Sequence, residues 1–195
     1  PLFKKGEKLT SLISIVEDIS LKKEAEKQIK KSETRFQSLF EDSPIPLWEQ
    51  DFSEVKKYLQ KLNLINENPE TVSLYLKMHP DVVRECIALV KIIDVNTMCL
   101  NLHKVKTKKE LISDLSQIID KDSINDFTKQ LIAITQGDKQ LIVDTKIKNK
   151  DDEYRNVNLR WNVIRGYEKT LERIIVSTED ITERKISENI ILQSQ

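Results

Sequence analysis

Three runs in the C-terminal part of this 195-residue sequence constrain its fold more than any other feature. In "QLIVDTKIKN", Leu141, Val143, Thr145 and Ile147 alternate with polar neighbours, and in "YRNVNLRWNVI" Val157, Leu159, Trp161 and Val163 do the same. "LERIIVSTED" closes the series. Successive side chains of a strand point to opposite faces, so this alternation describes a sheet with one face buried. The links "KDDE" and "GYEKT" are short enough to be hairpin turns, which makes the three strands antiparallel neighbours. Trp161 stands mid-strand, and the pattern leaves two orientations open: inward as core, or outward as a dimer contact.

Upstream, the text reads as helices set around two further strands, "PLWEQDF" and "KIIDVN". Pro44 and Pro46 remove amide donors and bias their neighbours to extended geometry, so a helix arriving from the N-terminal side must stop there. "SEVKKYLQKL" restarts a helix, with Ser53 as the N-cap candidate and Val55, Tyr58, Leu59 and Leu62 on one face. Two more helices fill "NPETVSLYLKMHPDVVRECIALV", the second opened by Pro80 in its first turn. Short helices are expected in "TMCLNL" and "TKKELISDL", and a longer one in "DKDSINDFTKQLIAITQG", stopped by Gly137. Strand, helices, then three antiparallel strands is an α+β layout with the helices gathered on one side of a sheet.

The N-terminal stretch is different in kind. Residues 9–17, "LTSLISIVE", read as a strand of β-branched residues with no partner upstream. From Leu21 onward, Ala25, Ile29, Ser32, Phe36 and Leu39 follow a 4-3-4-3 spacing among Lys and Glu, the a/d seam of a coiled coil. The alternative is a solvated amphipathic helix packed on its own domain. Ile186 and Ile190 offer a similar pair near the other end.

The sequence also carries nearly the same letters twice, "IVEDISLKK" and "STEDITERK". Glu17-Asp18-Ile19-Ser20 matches Glu179-Asp180-Ile181-Thr182 about 162 residues on, and Lys23, Glu26 and Ile29 fall on Lys185, Glu188 and Ile191. That period is too long for a solenoid and points to a domain-sized unit whose end occurs twice. In the second copy Asp180 stands where the last strand ends. Thr182 is placed to cap the outgoing helix by accepting an orphan amide, with Glu183 near the positive helix terminus.

Composition excludes several functions. Lys plus Arg and Asp plus Glu are 32 each, and zero net charge argues against a general nucleic-acid binder. Three glycines leave no phosphate-cradling loop. Cys86 and Cys99 have no CxxC companion, so neither a disulfide framework nor a zinc site is expected, and a reducing interior such as the cytoplasm is the simpler setting. No apolar run of about 18 residues is present to span a bilayer. There is no signal peptide, and a sequence that opens on Pro is read as a piece of a longer chain. His79 precedes Pro80 and His103 precedes Lys104, neither in the setting of a kinase phosphoacceptor, "HE-L/I-R/K-x-P". With no ATP lid and no nucleophile elbow, no catalytic residue and no metal site are expected.

At "SETRFQSLFEDSPIPLWEQDF", "IIDVN" and "RWNVIRGYEKTLERIIVSTEDITERK" the sequence resembles a PAS domain with its C-terminal PAC portion. More narrowly, it is similar to the subtype with a helical insertion after the first strand. The resemblance runs over roughly residues 32–190 and rests on the terminal Asp180-Ile181-Thr182, on Trp48-Glu49 with Asp51-Phe52, and on Asp94 with Asn96. It implies a five-stranded antiparallel sheet with helices over one face. The expected division is a C-terminal strand of a preceding PAS repeat at 1–20, a linker helix at 21–40, and a PAS/PAC domain at 41–182 with its insertion at about 53–91. An outgoing linker helix then begins at 183–195. The sequence departs from the pattern around His103, where "LHKV" replaces the Gly that commonly ends the helix after Asn96.

The resemblance also implies a role. The expectation is a non-catalytic sensory or relay module of a multi-domain signalling protein, a sensor histidine kinase of a two-component system, joined to neighbouring PAS and output domains. The alternative is a spacer that dimerises without a ligand. In this fold a ligand lies between the inner face of the sheet and the helices, for which Trp48, Phe52, Ile93, Val95, Met98, Cys99, Phe127, Leu131 and Trp161 are the candidates. No haem or flavin is expected, because the helix before the sheet lacks an axial histidine and "NTMCLNL" stands where a flavin-binding relative has "NCRFLQ". Asp180 and Thr182, with Asp18 and Ser20 in the first copy, are the expected signal junctions. Ala25, Ile29, Phe36 and Leu39 are the expected homodimer seam.

Overall fold

The structure, a computed structural model, describes residues 7–112 and 121–193, with side chains outside 7–20 and 121–123. It divides into two units, the first ending at Asp42 and the second beginning at Ser43.

The first unit is one helix, α1 (Glu7–Glu41). This corrects the strand expected at 9–17. A strand without a neighbour leaves every amide and carbonyl of its ladder unpaired, whereas a helix satisfies its own backbone four residues away. β-branched composition is a weak preference and yields to that requirement. Asp18 and Ser20 therefore lie in mid-helix and form no strand-to-helix junction. Along α1, Ala25 and Ser32 are exposed, as are Ile29 (58%), Phe36 (50%) and Leu39 (67%), and the rings of Phe36 and Phe40 stack 6.2 Å apart.

The second unit is built on a five-stranded antiparallel sheet of β1 (Leu47–Asp51), β2 (Lys91–Val95), β3 (Gln140–Lys148), β4 (Tyr154–Val163) and β5 (Ile174–Asp180). The spatial order is β2-β1-β5-β4-β3, so the first and last strands meet at the centre. Between β1 and β2 stand α2 (Ser53–Lys61), α3 (Pro69–Met78) and α4 (Pro80–Leu89). Then come α5 (Thr97–His103), a helical turn at 108–112, α6 (Lys121–Gln136) and, after β5, α7 (Thr182–Gln193). The rest of "TKKELISDL" lies outside the described residues.

The alternation read from the sequence is met in β3, β4 and β5. Leu141 pairs with Trp161, Val143 with Leu159 and Thr145 with Val157, while Trp161 also pairs with Val176. Trp161 points inward and is fully buried, which settles its orientation. The core lies between this face and the helices: Phe52, Val55, Leu59, Val72, Leu76, Val83, Leu131 and Ile174 are all at or below 1% exposure. Burying each such side chain contributes about 1.5–3 kcal/mol relative to leaving it in water.

Several caps differ from the simplest reading. Ser53 is not the acceptor at the start of α2. Its amide donates to Asp51 Oδ1 at 2.8 Å, so the carboxylate two residues upstream holds the turn. Asn96 caps α5, with Oδ1 accepting from Cys99 N at 3.1 Å and from Leu47 N at 3.0 Å, and Nδ2 donating to Ile45 O at 2.9 Å. One buried amide thus ties the start of β1 to the start of α5. Gly137 ends α6 at φ +74, where its freedom is needed, with its amide on Ile134 O at 3.1 Å. At the end of α5, where glycine is absent, Lys104 adopts φ 56, ψ 37. Its ammonium group meets Asp151 at 2.7 Å and Glu153 at 3.0 Å, partners that hold a left-handed conformation most side chains avoid.

Candidate functional site

A cavity of about 600 Å³ lies between the inner face of the sheet and the helices. Each strand contributes by the period-two rule: Trp48 from β1, Ile92 from β2, Ile147 from β3, Leu159 from β4 and Val176 from β5. Phe52 follows β1, Ile87 comes from α4, and Phe127 from α6. Phe52 holds two other rings in place, stacked on Phe127 with centroids 6.2 Å apart and edge-on to Trp161 at 5.9 Å. A volume of this size with mostly apolar walls and a few polar groups matches small-molecule sites in general.

Besides Gln50 and the buried Gln130, the polar groups fall into two kinds. Arg84 and Lys146 are exposed, and Asp126 is engaged by Lys129 at 2.7 Å and by the Thr145 hydroxyl. His103 and Thr178, by contrast, are each 4% exposed, and His103 Nδ1 and Thr178 Oγ1 have no hydrogen-bond partner among the described residues. Burial lowers the His103 pKa to about 4, because the charged imidazolium would lose its hydration, so the ring is neutral at pH 7. Its edge meets Trp48 at 5.4 Å between centroids. Each buried, unpaired polar atom costs about 1–3 kcal/mol unless something in the cavity bonds to it.

Of the nine residues expected to line a pocket, Trp48, Phe52 and Phe127 do so. Val95, Leu131 and Trp161 are fully buried in the core and do not border the cavity. Cys99 is also buried, its thiol donating to Leu47 O at 3.0 Å, and Met98 is half-buried away from the cavity. Ile93 is on the wrong side, at 46% exposure. The reason is a β-bulge: Glu49 pairs with Asp94 and Gln50 with Ile92, leaving Ile93 as the extra residue, and Ile92 turns inward in its place. His103 and Thr178 were not among the sequence candidates. Two signals could have found them: Thr178 shares its strand face with Val176, and His103 is four residues from buried Cys99 on the same face of α5.

The second candidate site is the exit from the sheet. Asp180 Oδ1 accepts from Thr182 N at 2.9 Å, so the aspartate caps α7. Thr182 does not bond to its own helix as expected. Its Oγ1 accepts from Asn156 N at 2.9 Å, and the Asn156 carbonyl accepts from Ile181 N at 2.8 Å. Asp180 already serves the first turn, and the threonine hydroxyl bonds to β4 instead. Ile181 is buried between them. One turn along, Lys185 Nζ meets Asp144 Oδ2 on β3 at 2.9 Å. The start of α7 is thus bonded to β4 and β3 as well as continuing β5.

Among the described residues no helix is long and apolar enough to cross a membrane, and no group of His, Cys, Asp and Glu could hold a metal ion. No protein-family model matches the sequence, and no curated protein does. Solved structures do. The PAS domain of an HTR-like protein from Haloarcula marismortui superposes with a TM-score of 0.50 and 15% identity, covering 82% of this chain and 99% of that one. The PAS domain of a protein from Colwellia psychrerythraea gives 0.48 and 12%, covering 77% and 97%. A domain of a sensory box sensor histidine kinase/response regulator from Geobacter sulfurreducens gives 0.47 and 10%, covering 78% and 96%. At 15% identity, the likeness to the Haloarcula domain establishes the fold.

Proposed function

From the PAS fold of the second unit, we propose that this chain is a sensory module that holds a small ligand in the cavity and relays its presence through the helix leaving the sheet. The observation that carries this reading is the cavity itself, about 600 Å³ bounded by all five strands and three helices, with two buried polar residues in its wall, His103 and Thr178, each keeping an atom unpaired among the described residues. A spacer whose interior is filled by its own side chains would have neither. Val176 and Thr178 line the cavity on β5, and Asp180 ends the same strand, so a ligand touches the element from which α7 departs. A shift of β5 would be felt at Thr182 and Asn156 within one strand length.

The wider role is that of a non-catalytic part of a multi-domain signalling protein, with a sensor histidine kinase of a two-component system as the parent. The exposed apolar residues of α1, with Ile186 and Ile190 of α7 (53% and 61% exposed), are the surfaces through which two copies would pair as coiled coils. The test is native mass spectrometry of the purified chain with an absorption spectrum of the same sample. A bound mass released on denaturation is the expected result. A dimer that carries no extra mass, and whose melting temperature no compound in a broad small-molecule screen raises, would overturn the sensory reading in favour of a spacer.

A further inference from the structure

The cavity is not uniform, and its polar end bears on the chemistry of the ligand. His103 contacts Trp48, and Thr178 is on the strand that pairs with β1. The His103 ring stands edge-on to the indole at 5.4 Å, and the Thr178 amide donates to the carbonyl of Pro46, two residues before Trp48, at 3.1 Å. Both side chains border the cavity, both are 4% exposed, and each has a polar atom without a partner among the described residues. Polar residues with an unpaired atom, set in the wall of an otherwise largely apolar cavity, mark where a polar group of a ligand would be accommodated.

We propose that His103 and Thr178 select an uncharged ligand, a largely apolar molecule carrying one hydroxyl or carbonyl group. This rests on the reading that the cavity holds a ligand. A neutral imidazole has one donor and one acceptor, and a threonine hydroxyl can serve as either, so the pair matches a group that both gives and takes hydrogen bonds. A carboxylate or ammonium placed there would be taken out of water with no counter-charge beside it. The charged residues bordering the cavity are Arg84, Asp126 and Lys146; the first and last are exposed, and Asp126 already engages Thr145 and Lys129. The desolvation that keeps His103 uncharged at pH 7 would act equally on an ionic ligand.

The experiment titrates the whole chain with 1-octanol and, separately, with octanoate at pH 7, following tryptophan fluorescence and the imidazole ¹⁵N shifts of His103. Octanol is expected to bind at least about tenfold more tightly than octanoate and to move the His103 resonances. His103→Leu and Thr178→Val are each expected to weaken octanol about five- to tenfold, the loss of one hydrogen bond, without lowering the melting temperature. The two variants guard each other, since only one needs to fold. Octanoate binding as tightly as octanol would overturn the proposal. Octanol binding equally to wild type and both variants would overturn it while leaving the cavity a ligand site. If neither compound binds at saturation, but a co-purified mass is found in the native spectrum, the assigned chemistry falls and the sensory reading stands. If no bound mass is found either, both fall.

Discussion

Glu17-Asp18-Ile19-Ser20 and Glu179-Asp180-Ile181-Thr182 are almost the same text in two different structures. The first is in the middle of a 35-residue helix; the second is the corner where a strand ends and a helix begins. What separates them is the neighbour, not the letters. Asn156 of β4 offers both an amide and a carbonyl to the second copy, and Asp180 takes the freed amide of Thr182. With no strand beside it among the described residues, the first copy adopts the helix, the one regular structure that closes its hydrogen bonds without help. A junction of this kind is therefore a property of the sheet that receives it.

Proline discriminates most strongly between the two copies. Ser20→Pro is expected to cost α1 about 3 kcal/mol or more, read as lost helical ellipticity, because it removes an interior hydrogen bond and clashes with the preceding turn. Thr182→Pro falls at the first position of α7, where proline's φ fits, so the helix is expected to persist, with a cost of about 2–3 kcal/mol that comes from the lost Asn156 and Asp180 bonds. Equal loss of helix at both sites would erase the distinction. Next, Ile181→Ala opens a hole under the corner and should lower the unfolding free energy of the second unit by about 2–3 kcal/mol in urea. A change of a few tenths would mean that the corner is not packed.

Thr182→Val keeps the shape and removes both hydroxyl bonds to Asn156, for an expected loss of about 1–2 kcal/mol, whereas Ser20→Ala in mid-helix should be neutral or slightly stabilising. Asp180→Ala should cost about 1 kcal/mol as a lost cap, and the sharper readout is faster amide exchange in the first turn of α7. The smallest effect is on pH. The Asp144 carboxyl is held below its usual range by the Asn158 amide and by Lys185, the latter tying α7 to β3. A carboxylate with a lowered folded pKa adds stability that is present above its unfolded pKa and is lost as pH falls through the folded value. Acid should therefore loosen α7 by about 0.2–1 kcal/mol, the range of an exposed pair, and Lys185→Met should remove much of that dependence.

Much of the second unit was legible because its rules are local. Period-two alternation placed β3 to β5, Pro80 opened α4, and Gly137 closed α6. The reading failed where a contact far along the sequence decides the outcome. The bulge at Ile93 arises from pairing with β1, more than forty residues upstream, and no alternation in "KIIDVN" announces it. The strand expected at 9–17 is a helix because β-branched propensity is weak against the cost of an unpaired ladder. In the site, large apolar residues were legible as interior, but whether they border the cavity or lie behind it depends on packing, as Trp161 behind Phe52 shows. His103 carries no catalytic signature, and a histidine at a helix end is exposed as often as not, so its place in the cavity wall follows from packing.

The meeting of β1 and β5 at the centre of the sheet has a consequence for how such a unit can be moved between proteins. The two strands are antiparallel, and Thr178 N bonds to Pro46 O at 3.1 Å, so the chain comes into the sheet and leaves it at nearly one point. Paired strands stand only about 5 Å apart. A stretch with both its ends at one place can be spliced into a surface loop of a host, or strung in tandem with further copies, while the host backbone need open by no more than the width of one strand pair.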